Sequence, residues 1–193
     1  MIAWVTDMQG GYNRQLAMKR LYGGASTGVG VGSGSKGGGP LCTSGTLWFA
    51  ESVASTDNQS GLTANAFGQS FTVPNTGYLY SIKVYIDSTG TSVVSMRYGN
   101  SANLGTPYDS VTDQSLATGS SIREFVFADT VNELQTSTTY YFGLTETSGE
   151  AVVLYLSTGG YANGMIYYAD SGWNMNNPYS GADVRFEVWK CAD

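Results

Sequence analysis

The chain has 193 residues, room for one domain with a sizeable core, and only 12% of them are charged, against roughly 25% in an average soluble protein. Glycine (26 residues) and aromatics (13%) are abundant, a balance that favours short strands and tight turns over helices. There is no histidine, which excludes His-based triads, His metal ligands and the usual proton shuttle. The net charge of −6 argues against nucleic acid as the main partner, because phosphate contacts need clustered Lys and Arg.

In chain order, the first region is residues 1–40. It holds four basic residues against one acidic, a net of +3, while the remainder has five basic and fourteen acidic, a net of −9. Residues 10–39 are studded with glycine, so they bury too little apolar surface to offset their ordering entropy alone. The only helix-like piece is NRQLAMKRLY (residues 13–22), too short to hold without a partner. These features predict an extended glycine-rich assembly arm. Its contact residues would be Trp4, Tyr12, Leu16, Met18, Leu21 and Tyr22, flanked by Arg14, Lys19 and Arg20. Residues 1–7 show no basic leader with a long apolar run, and no segment approaches a membrane-spanning length, so the expectation is synthesis in the cytoplasm and no membrane partner.

From Leu41 to Asp193 the pattern turns to period two and predicts a β-sandwich of eight or nine strands. The opening strands fall at 46–54 and 66–73. In YLYSIKVYI (78–86), Ile82, Val84 and Ile86 alternate with Lys83 and Tyr85. Asp87-Ser88-Thr89-Gly90 then reads as a hairpin turn into SVVSMRY (92–98). Further strands are expected at 122–127, 139–145, 151–156, 164–169 and 183–190. In the last of these Val184, Phe186 and Val188 face inward, with Arg185 and Glu187 outward.

Candidate chemistry is sparse. No nucleophile elbow, P-loop or HExxH occurs, and GVGVGSG (28–34) lacks the strand and helix a dinucleotide fingerprint needs. Asp183 and Glu187 would share an outer strand face as solvated carboxylates too far apart for glycoside hydrolysis. Asp57-Asn58-Gln59 and the pair Asp109 and Asp113 offer oxygens suited to calcium, but turn chemistry accounts for them. The expectation is therefore a non-enzyme with no metal and no cofactor. Cys42 and Cys191 flank the body, and two readings stay open: a disulfide between its ends, or two free thiols. The candidate contact surface is an aromatic and amide cluster of Tyr161, Asn163, Tyr168, Trp173, Asn174, Asn176 and Tyr179. Rings stack on sugar faces and amides bond hydroxyls, the same mixture suits a protein contact, and rings of this kind also fill cores.

Three stretches carry a resemblance: QSFTVPNTGYLYSIKVYI, LQTSTTYYFGLT, and YANGMIYY with the later GW and DVRFEVW. Together, over about residues 46–190, they resemble the jelly-roll β-sandwich modules of phage structural proteins, with a looser likeness to extracellular bacterial carbohydrate-binding domains. The resemblance implies a virion protein, a capsid decoration (cement) or head or tail fibre subunit, held by its arm to other virion subunits. The low charge and many aromatics point to self-association as well, with a homotrimer favoured. The other implied class is a carbohydrate-binding or adhesion module that meets host-surface glycans, extracellular or on a cell surface.

Overall fold

The computed structural model describes residues 41–51, 58–62, 65–149, 152–157, 161–179 and 181–192. The arm residues Trp4, Tyr12, Arg14, Leu16, Met18, Lys19, Arg20, Leu21 and Tyr22, with the whole of 1–40, lie outside them, as does Asp57. There is no helix among the described residues. The strands in chain order are β1 (Gly45–Glu51), β2 (Asn58–Gly61), β3 (Phe67–Phe71), β4 (Gly77–Ser88), β5 (Ser92–Gly99), β6 (Asp109–Leu116) and β7 (Gly119–Val126). They continue with β8 (Glu133–Leu134), β9 (Tyr140–Gly149), β10 (Val152–Ser157), β11 (Ile166–Tyr168), β12 (Asn177–Tyr179), β13 (Asp183–Val184) and β14 (Phe186–Cys191).

Two antiparallel sheets form a β-sandwich. The first runs β1-β14-β4-β10-β13, with β7 and β8 also on β4 and β2 on β10; the second runs β12-β11-β3-β9-β5-β6. Alternation decides the inner faces: Ile82, Val84, Ile86, Phe186 and Val188 from the first sheet meet Phe67, Phe71, Met96, Phe142 and Leu144 from the second, all fully or nearly fully buried. Phe186 is the hub. Its ring lies 5.2 Å from Phe142, 5.5 Å from Tyr161, 5.9 Å from Phe49 and 6.5 Å from Phe71. Each such ring contributes roughly 1.5–3 kcal/mol on full burial.

Fourteen strands among the described residues stand where eight or nine were expected, and four further expectations change. The Asp87–Gly90 segment is not a hairpin turn, because β4 pairs with β7, β10 and β14 while β5 pairs with β6 and β9. The chain crosses there from one sheet to the other, with Ser88 Oγ donating to Gly90 O at 2.7 Å and accepting from Ser92 Oγ at 3.0 Å. Asp109 and Asp113, taken as turn residues, belong to strand β6. Asp113 keeps part of that reading: its φ is 54°, at the register shift opposite Val94–Met96, and its N–H donates to Ser95 Oγ. The strand expected over 183–190 is two strands. Arg185 N donates to Tyr155 O and Arg185 O accepts from Tyr85 N, so the backbone changes partners there from β10 to β4.

The fourth change follows from that break. Asp183 is buried rather than solvated beside Glu187. It accepts from Gln69 Nε2 at 2.7 Å and Tyr161 N at 2.9 Å, while Val184 N donates to Gln69 Oε1, so this group ties the two sheets together. Asp129, also buried, accepts from Val131 N, Asn132 N, Asn132 Nδ2 and the Tyr98 hydroxyl. Burial above all, with Asp129 beside it, raises the Tyr98 phenol far above its ordinary value. Cys42 and Cys191 are joined by a disulfide, Cα to Cα 5.3 Å.

Candidate functional site

The second sheet's outer face shows how glycine in a strand creates a place for something else. One cross-strand row runs Pro178, Tyr167, Gly68, Gly143, Arg97, Ser110, and the next includes Ser70, Tyr141 and Gly99. Gly68 lets the β9 backbone approach closely, while Gly143, between Gly68 and Arg97 in that row, leaves a trough. Met175 and Leu104, both fully buried, fill it. A methyl group at Gly143 would meet Met175 Sδ at 2.8 Å and Leu104 Cδ1 at 3.1 Å.

These two side chains come from two loops, 100–108 and 169–176, which zip together over the sheet. Leu104 N donates to Trp173 O at 2.9 Å, Met175 N donates to Ala102 O at 3.0 Å, and Asn103 bridges Asn174. The Arg97 guanidinium lies 4.3 Å from the Trp173 ring and donates to Leu104 O, so it holds the roof from beneath. Beside the roof, Tyr141 and Tyr167 meet edge to face at 5.3 Å, both half-buried. Burial, then Tyr167, raises the Tyr141 phenol, which therefore stays a neutral hydrogen-bonding group through the neutral range.

The predicted cluster divides into three places. Trp173, Asn174 and Asn176 belong to the roof, while Tyr168 and Tyr179 lie on the other face of the second sheet at its β11–β12 edge, on the side of Phe67 and Ile166. Tyr168 packs on Phe67 at 4.7 Å and on Tyr179 at 6.1 Å, leaving Tyr179 half-exposed. Asn176 and Asn177 both donate to the Asp170 carboxylate, so these amides hold the loop. Asn174 is exposed, with no side-chain hydrogen bond among the described residues. Tyr161 and Asn163 lie elsewhere. They line a shallow cavity of about 180 Å³ with Phe49, Ala50, Thr72, Val73 and Pro74. Tyr161 stacks on Phe49 at 5.7 Å, donates to Thr72 O and accepts from Thr72 N, which makes it a wall rather than a free ligand group. Burial raises its phenol too.

Sequence reasoning missed Arg97, Leu104, Tyr141 and Met175. The available signals were the strand glycines Gly68 and Gly143 and the lone large apolar residues in SANLGTPY and NMNNP. No group of His, Cys, Asp and Glu able to hold a metal ion occurs among the described residues. Of the buried carboxylates Glu51, Asp129 and Asp183, the last two accept the hydrogen bonds given above. No family model matches the chain, and no curated protein matches it.

Proposed function

We propose that this is a non-enzymatic structural protein of a virus particle. It would be a capsid decoration or fibre subunit whose jelly-roll-like body is carried by residues 1–40 as an assembly arm. The observation that carries this reading is the Cys42–Cys191 disulfide at the entrance to the body. β1 is an edge strand, so a pull entering through it would peel it from the sheet one pair at a time. The disulfide diverts that pull onto the end of β14, which lies between β1 and β4 inside the sheet. A body built to take load at the point where a preceding segment enters suits a tethered subunit. A disulfide also suits a protein that works outside a reducing cell interior.

Retention on the particle tests this. A chain lacking 1–40 should keep its cooperative thermal transition yet fail to stay attached. Within the arm, Leu21→Asp should weaken attachment far more than single changes in 28–39. Full retention without 1–40 would overturn the proposal. A second reading, glycan binding or adhesion, is supported by the half-buried Tyr141 and Tyr167 pair beside the exposed Asn174. Saccharide binding by the isolated chain, lost in Tyr167→Ala and kept without 1–40, would favour it.

A further inference from the structure

Sheet edges present unpaired backbone groups, and proteins normally blunt them with bulges, proline or shortness. This molecule does so at nearly every edge. β1 carries a register shift between Leu47 and Phe49, and β6 carries the positive-φ Asp113 at its own shift. β12 has three residues including Pro178, β13 has two and β2 has four. β7 differs. Its eight residues pair with β4 from Ser81↔Val126 to Ser88↔Gly119 without a shift, and it has no proline. No other described strand pairs with its far side. Two large apolar side chains stand outward on it, Ile122 at 42% exposure and Val126 at 44%.

We infer that β7 is the contact edge for a second copy of this chain, the two β7 strands pairing antiparallel across a two-fold axis so that the first sheets of both copies become continuous. The strand's own sequence selects this occupant. A two-fold normal to the sheet sets outward residues opposite outward residues, so the axis must pass through a residue. Centred on Arg123, it opposes two guanidinium groups; centred on Glu124, it opposes two carboxylates. Both are unfavourable for directly facing positions. Centred on Ile122, it sets Ile122 against Ile122, Ser120 against Glu124 and Ser121 against Arg123. That register has no like-charge pair and keeps nearly the full strand overlapped. The edge therefore carries a two-fold contact where composition alone favours a trimer. The inference does not depend on what the arm or the roofed face binds.

The solution mass of the full chain, with crosslinking by introduced cysteines, tests it. The native chain should be dimeric at tens of micromolar. Ile122→Lys sets two ammonium groups face to face, and should weaken association at least about tenfold while the thermal transition of the monomer survives. Directly opposed residues lie ~4.5–5.5 Å apart at Cα, within disulfide reach. Ile122→Cys should therefore form an intermolecular disulfide under mild oxidation, whereas Arg123→Cys and Glu124→Cys should not. A monomeric native chain, or a dimer or trimer that Ile122→Lys leaves unchanged, overturns the inference. So does crosslinking at 123 or 124 in place of 122.

Discussion

The two sheets bury similar inner faces but treat their outer faces in opposite ways. On the first sheet the outward side chains satisfy one another in place. Lys83 lies 3.7 Å from the Trp189 ring centre and 3.7 Å from Glu124, Arg185 lies 4.1 Å from the Tyr85 ring, and Trp189 Nε1 donates to Glu187. On the second sheet β9 gives up a side chain at Gly143, and two loops supply Leu104 and Met175 instead. One face is complete as a sheet; the other is a foundation for loops.

The largest expected effect sets a baseline outside the comparison. Replacing Cys42 and Cys191 by serine removes a link across 149 residues, worth about 4–5 kcal/mol in the chain-entropy model. The apparent Tm should fall, and amide exchange should accelerate in β1 and β14 while the roof loops keep their protection. Equal acceleration in both regions would mean that the two sheets do not open separately.

Met175→Ala attacks the roof itself. Truncating a fully buried methionine costs roughly 2–5 kcal/mol, and the exposed trough should free both loops together because Leu104 and Trp173 are bonded across it. Amide exchange at Leu104 and Met175 should rise by orders of magnitude with little change in β4 or β7. Any ligand of this face should be lost with it. If exchange rises uniformly, the roof belongs to the same cooperative unit as the core.

The period-two pattern made most of the sandwich legible: the alternation of Ile82, Val84 and Ile86 placed β4, and that of Phe186 and Val188 placed β14, with the correct face inward, though Val184 went to a separate strand. β6 escaped because DSVTDQSL carries only two apolar residues, Val111 and Leu116, five positions apart, so no period-two pattern marks it although both reach the core. The sheet crossing at Asp87–Gly90 escaped because a turn sequence gives the bend and not the partner of the next strand. Of the site, Trp173 and its amides were visible as composition. The trough was not, since it depends on two loops far apart in sequence meeting over Gly143.

An alkaline titration probes the core that both faces share. The Tyr98 phenol is raised in the folded state, first by burial, so only the unfolded chain ionises near its ordinary value of about 10. Its contribution is intact below that value and lost as pH rises above it, with a slope of about 1.4 kcal/mol per pH unit. Tyr98→Phe should flatten that slope above pH 10. An unchanged slope would place the alkaline loss in other tyrosines, such as Tyr161 and Tyr141, whose phenols are also raised.

The smallest effect separates the two outer faces most directly, because each holds one cation over a tryptophan. Lys83 sits among solvated neighbours, its side chain 20% exposed and that of Glu124 38% exposed, so its ring contact and ion pair are screened. Lys83→Met should cost no more than about 1 kcal/mol, less at high salt. Arg97 also lies over a tryptophan, at 4.3 Å, but it donates to Leu104 O beneath the roof. Arg97→Met leaves that carbonyl without its donor and loosens the ring above it, so it should cost about 1–3 kcal/mol with little salt dependence. Urea unfolding of both variants at low and high salt decides between them. If the two losses are equal and equally screened, the loops do not shield the second face, and the contrast between a finished sheet and a foundation fails.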